Sequence, residues 1–148
     1  MTDPSPHTAN TTIAAATSEL AALRDFVRSH IMAAGFTDFE VNGIVLAIDE
    51  ACANLIRHGY HNDASKTIDV IVDVTGPDIR IDILDTATSF DPAVVPRPDM
   101  HRYAADRRRG GWGVAIMMRV MDAITYTPIG ATGSKNRLTL VKHRPLIR

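Results

Sequence analysis

The sequence predicts an α+β fold: a two-layer sandwich, with helices on one face of a mixed, mostly antiparallel sheet. Three observations predict it. Two stretches near the N-terminus, Leu20–Ala34 and Val41–Leu55, repeat their apolar residues at helical intervals. Two runs between 66 and 85 alternate apolar and polar residues around a short turn, the pattern of an antiparallel hairpin. A third helical stretch and a second pair of strands then follow a long irregular segment. Strands and helices grouped in this way, without regular βαβ alternation, separate α+β from doubly wound folds.

Taken in order, residues 1–8 read as a disordered tail and residues 9–148 as one domain. "NTTIAAAT" is read as a short first strand. From Ser18, Leu20, Leu23, Val27, Ile31 and Ala34 mark a helix that Gly35 ends. Thr37 and Glu40 have capping-box spacing and open a second helix. There Val41, Ile44, Val45, Ile48, Cys52 and Leu55 fall on one face, while Glu50 and Asn54 lie nearly opposite, beside Gly43 and Ala47. "KTIDVIVDV" and "IRIDILD" form the hairpin around the turn "TGPD". The segment "TATSFDPAVVPRPDMHRYAADRRR" is long and proline-rich, and loops of that length are usually functional. "GGWGVAIMMRVMDAI" opens a helix near Trp112 with Val114, Met117, Met118 and Met121 apolar. "ITYTP" and "NRLTLVK" supply the last two strands.

Composition narrows the function. The 148 residues carry a net charge of −1, with 45% hydrophobic and 22% charged residues. That balance gives no bulk attraction to nucleic acid or an anionic membrane. No secretory signal and no run of about 18 apolar residues is present, so the protein is expected in the cytoplasm and off the membrane. The single Cys52 fits a reducing compartment and an inert place in the apolar stripe. His58 and His61 are close, but no further ligands follow at zinc spacing.

Four pieces carry chemistry. Glu50 and Asn54 share a helix face one turn apart. A carboxamide oxygen suits Mg²⁺ that also holds phosphates, and a neighbouring carboxylate can take a proton from an attacking hydroxyl. Alone, this spacing is more often a solvated face. Asp85 ends a strand of isoleucines, where a carboxylate can accept from an exocyclic amine such as adenine N6 or simply cap a strand end. Phe90, Asp91 and Pro92 follow it. Gly110, Gly111 and Gly113 free the backbone before a helix whose N-terminus favours anions, or form a hinge. The run is neither a Walker A loop nor a dinucleotide fingerprint. Thr139 on the last strand can bond a base edge or be an ordinary strand residue.

In this order the pieces resemble the N, G1 and G2 boxes of the GHKL ATPases, whose nucleotide site is the Bergerat fold. More narrowly, "LAIDEACANLIRHGY", "DTATSFDP" and "RGGWGVAIMMRVMD" resemble the bacterial anti-sigma factor serine/threonine kinases, from about Ala14 to Lys142. The resemblance implies ATP and Mg²⁺ as cofactors. Asn54 would be the metal ligand and Glu50 the base or the residue orienting the nucleophile. Asp85 would take adenine N6, with Ala87 and Phe90 beside it. Gly110, Gly111 and Gly113, with Trp112 and Val114, would form the lid over the phosphates. Arg57 and His58 would lie near the phosphates and Thr139 near the base. The implied partners are a STAS-domain anti-anti-sigma protein, a sigma factor and a second copy of the chain. The alternative is a catalytically idle module that keeps the fold and its partner surface. The family's G1 box continues D-x-G, and Ala87 stands at that glycine. Its methyl is expected to crowd the base and, if the backbone needs positive φ, to add about 1 kcal/mol of strain or more.

Overall fold

The computed structural model describes residues 6–87, 111–130 and 134–145, with 111–114 described by backbone alone. Strand β1 (Thr8–Ala14) leads through a 3₁₀ turn into helix α1 (Leu20–Ile31). A second 3₁₀ turn, Met32–Ala34, ends at Gly35 with φ of 95°, the left-handed position that glycine takes without a Cβ penalty. Helix α2 (Asp38–Asn54) runs into a π-helical turn, Leu55–Gly59. Strands β2 (Thr67–Asp73) and β3 (Asp78–Asp85) follow, then helix α3 (Gly111–Val120), β4 (Ala123–Thr127) and β5 (Asn136–His143).

Among the described residues the strands form one sheet in the order β1-β2-β3-β5-β4, and each neighbouring pair is antiparallel. β5 inserts between β3 and β4, so the last strand lies inside the sheet and pairs with β4 as the sequence suggests. The first strand begins at Thr8, inside the stretch read as tail, and Thr8 sits opposite Asp73.

Alternation decides which side faces the helices. Ile68, Val70 and Val72 of β2, Ile79, Ile81 and Ile83 of β3, and Leu138 and Leu140 of β5 are buried in the same core as Leu23, Val27, Ile44 and Ile48. The register places Ile81 opposite Leu140 and Ile83 opposite Leu138, so these residues share the inner face. The outer face is polar. Asp69 accepts from the Thr12 hydroxyl at 2.7 Å and pairs with Lys135. Asp82 pairs with Arg137 at 2.6 Å and accepts from the Thr139 hydroxyl at 2.6 Å. Among the described residues no helix is long and apolar enough to cross a membrane.

The capping box at α2 forms in full. Thr37 Oγ1 accepts from the Glu40 N–H at 3.1 Å, and Glu40 Oε1 accepts from the Thr37 N–H at 3.0 Å. Thr37→Ala should therefore destabilise the protein by about 1 kcal/mol. A urea titration should show a lower midpoint with an unchanged slope; an unchanged midpoint would mean that the box contributes nothing.

All six apolar stripe residues of α2 are buried, Cys52 completely, and burial pushes its thiol pKa well up. The opposite side is not solvated. Ala47 is also fully buried, and a Cβ on Gly43 would lie 3.4 Å from Val120 of α3. α2 is thus packed between the sheet and α3. Met117 and Met121 point into the same core from the α3 side.

Candidate functional site

Asn54 closes α2 and is 6% exposed. A carboxamide is not buried there for apolar packing, because its polar atoms lose water. Glu50, one turn earlier, is half-buried. Its pKa is raised, chiefly by burial and then by the nearby Asp49 charge, while Arg57 opposes the shift. Asp49 itself is held by Arg24 at 2.9 Å. The helix thus presents a neutral hard oxygen donor and a carboxylate of enhanced basicity on one face.

This donor set fits Mg²⁺ of a particular kind. Among the described residues no three of His, Cys, Asp and Glu gather into a metal-binding group. Asn54 Oδ1 with Glu50 beside it suits a cation that draws its other ligands from phosphates and water.

After Asn54 the helix widens. The Tyr60 N–H reaches back to the Leu55 carbonyl at 2.8 Å, an i→i+5 bond. A Cβ on Gly59 would lie 2.8 Å from Leu55 Cδ1 and 3.2 Å from the Ala87 methyl. Glycine at 59 is therefore what lets Ala87 sit against the turn. The expected strain at Ala87 is absent: the only non-glycine residues with positive φ among those described are His61 and Asn62. Ala87 is buried, with its methyl packed on the Gly59 side.

Tyr60 ties this turn to the sheet. Its hydroxyl donates to the Thr67 carbonyl at 2.9 Å and accepts from the Thr86 N–H at 2.8 Å. The chain leaving β3 is fixed at Thr86, between Asp85 and Ala87.

Asp85 is 7% exposed, on the inner face at the end of β3. Two residues on, the Ala87 methyl lies against Gly59, so the end of β3 sits beside the turn that follows α2. Asp85 Oδ1 accepts from the Ala87 N–H at 2.8 Å and from Asn136 Nδ2 at 2.8 Å. Burial raises its pKa, and these two bonds partly offset that rise. Among the described residues Oδ2 takes no hydrogen bond and remains an open acceptor.

Thr139, expected near the base, does not join this group. It sits opposite Asp82 on the outer face, and its hydroxyl is given to that carboxylate. The β5 residue that reaches Asp85 is Asn136, directly across the ladder and 1% exposed. The sequence contained the signal for this. Asn136, Leu138 and Leu140 alternate on one face, and Thr139 falls on the other.

Arg57 and His58 are exposed on the π turn. Gly111, Trp112, Gly113 and Val114 form the first turn of α3, which starts one residue earlier than expected. Gly110 and Phe90 lie outside the described residues.

The fold has relatives among known proteins. The chain is 27% identical to the serine/threonine-protein kinase BtrW of Bordetella bronchiseptica over 100 residues, covering 68% of each chain. It is 26% identical over 96 residues to an anti-sigma F factor of Clostridium beijerinckii, covering 65% of this chain and 67% of that one. A further anti-sigma F factor, from Anoxybacillus flavithermus, is 27% identical over 105 residues, 70% of each chain. Among solved structures, that of the RsbU and RsbW domains of Rv1364c from Mycobacterium tuberculosis superposes with a TM-score of 0.63 at 18% identity. The match covers 94% of this chain and 33% of that one, and shares the fold. The histidine kinase-like ATPase domain matches residues 13–142, nearly the whole of the described sandwich, and the chain belongs to that family.

Proposed function

We propose that the protein is an ATP-dependent serine/threonine protein kinase of the anti-sigma type. It binds ATP·Mg²⁺ between the C-terminal half of α2, the end of β3 and the start of α3, and transfers phosphate to a hydroxyl of a STAS-domain anti-anti-sigma protein. A sigma factor is its second partner. The observation that carries the reading is the pairing of a buried Asn54 with a half-buried Glu50 of raised pKa, on the helix whose following turn packs against Ala87, two residues beyond Asp85. The relatives named as a kinase and as anti-sigma factors support the choice of activity and partner.

Each residue has a stated part. Asp85 Oδ2 accepts from the adenine amine. Asn54 Oδ1 would hold the cation, which when bound would supply positive charge against the phosphate oxygens. Glu50 orients the acceptor hydroxyl and takes its proton as the phosphoryl group moves. The backbone N–H groups opening α3 face the phosphates. Catalysis is then chiefly positioning and charge neutralisation. Incubation with γ-labelled ATP and a STAS-domain protein should label a serine or threonine of that protein. Binding of a sigma factor without any transfer would favour the idle regulatory module.

The raised Glu50 pKa has a signed consequence. A base must be deprotonated, so raising its pKa moves the acid limb of the rate profile to higher pH. Asp49→Asn removes one cause of that shift and should move the acid limb of kcat to lower pH. Arg57→Gln removes the opposing charge and should move it to higher pH. A pH–rate profile that neither substitution displaces would show that Glu50 does not govern the limb.

A further inference from the structure

We infer that Asn136 sets the choice of base in this site, by holding Asp85 so that a single carboxylate oxygen faces a purine 6-amino group. The inference rests on the ATP reading above and assigns a role to a residue outside the motifs that suggested it.

The argument starts from the amide's own inventory. A carboxamide has one oxygen acceptor and two N–H donors, and its orientation follows from its neighbours. The Ile129 N–H donates to Asn136 Oδ1 at 2.8 Å, which fixes the oxygen on that side. Nδ2 must then face the other way. There it donates to Asp85 Oδ1 at 2.8 Å and to the Ala87 carbonyl at 2.9 Å. The reverse orientation would set an amide oxygen against both of these acceptors.

A closed set of bonds results. Asp85 Oδ1 is held by Ala87 and Asn136, and Asn136 also holds Ala87. Rotating the Asp85 carboxylate would break two bonds in a buried place, where lost bonds are not replaced by water. The group is therefore locked with Oδ1 engaged twice and Oδ2 without a hydrogen bond among the described residues. An acceptor-only oxygen welcomes the N6 amine of adenine and opposes the O6 carbonyl of hypoxanthine. Asn136 acts through Asp85 and is a positioning residue.

The test compares ATP with inosine triphosphate on the full-length chain, in excess Mg²⁺, by calorimetric titration. The two nucleotides share the triphosphate and differ at position 6. The wild type should bind ATP on the order of tenfold to a hundredfold more tightly. Asn136→Leu should bring the two affinities within about threefold by weakening ATP selectively. Asn136→Thr, which keeps one donor, should recover part of the preference. A purely structural role for Asn136 would weaken both nucleotides alike, and that result, or an unchanged ratio, overturns the assignment. Asn136→Ala, which also lacks a donor, carries the same comparison if the leucine variant does not fold. A wild type that binds neither nucleotide overturns the ATP reading and the assignment with it. A wild type that binds both equally overturns base selection by Asp85 but leaves phosphate binding standing.

Discussion

Glu50→Gln is expected to leave ATP·Mg²⁺ affinity within about threefold and to slow phosphoryl transfer by about 10²- to 10⁴-fold. The substitution keeps the length and hydrogen-bonding reach of the side chain but removes its ability to take a proton. Glu50 is half-buried, so the surroundings that raise its pKa also limit competition from water. On the proposed reading binding should survive, because Asp85 would hold the base and Asn54 the cation that faces the phosphates. A single-turnover measurement with a saturating STAS-domain acceptor isolates the chemical step. Transfer at the wild-type rate would remove Glu50 from the reaction.

Asn54→Ala should act on the other side of that division. Removing groups that merely support a metal ligand commonly costs about tenfold to a hundredfold in metal affinity, and loss of the ligand itself should cost no less. ATP affinity should fall by at least about tenfold in Mg²⁺ and change little in EDTA. Because Asn54 is 6% exposed, the alanine also leaves a small void. Thermal unfolding without nucleotide should be run beside the titration, so that lost stability is not read as lost affinity. Equal affinities for variant and wild type in Mg²⁺ would assign the metal ligand elsewhere.

Much of this was legible in the chain because local chemistry and tertiary structure agree. Thr37 and Glu40 announce α2, and the stripe from Val41 to Leu55 names its inner face. The alternation of Ile79, Ile81 and Ile83 carries β3 to Asp85, the residue the site needs at its end. Other features depend on what lies across from them. The second face of α2 carries Gly43 and Ala47, and small residues do not reveal whether water or a helix covers them. Here it is Val120 of α3. The widening at Leu55–Gly59 accompanies the anchoring of Tyr60 to Thr67 and to Thr86, the second of which only the folded sheet brings near. Ala87 looked like a defect against a glycine pattern. Its neighbour Gly59 supplies the missing space, which only the folded chain brings alongside.

Thr139 and Asn136 show a different limit. Thr139 has a hydroxyl that suits a base edge and lies on the last strand. The β3–β5 register instead puts it opposite Asp82 and puts Asn136 opposite Asp85. A strand residue's partner is set by register, and a shift of one position moves it to the other face. Even so, the face could be read from Leu138 and Leu140.

The most direct test of the central claim is a calorimetric titration of the full-length protein with ATP, with Mg²⁺ and again with EDTA. The account predicts saturable binding that is clearly tighter with Mg²⁺. No detectable binding at millimolar ATP in Mg²⁺ would contradict it.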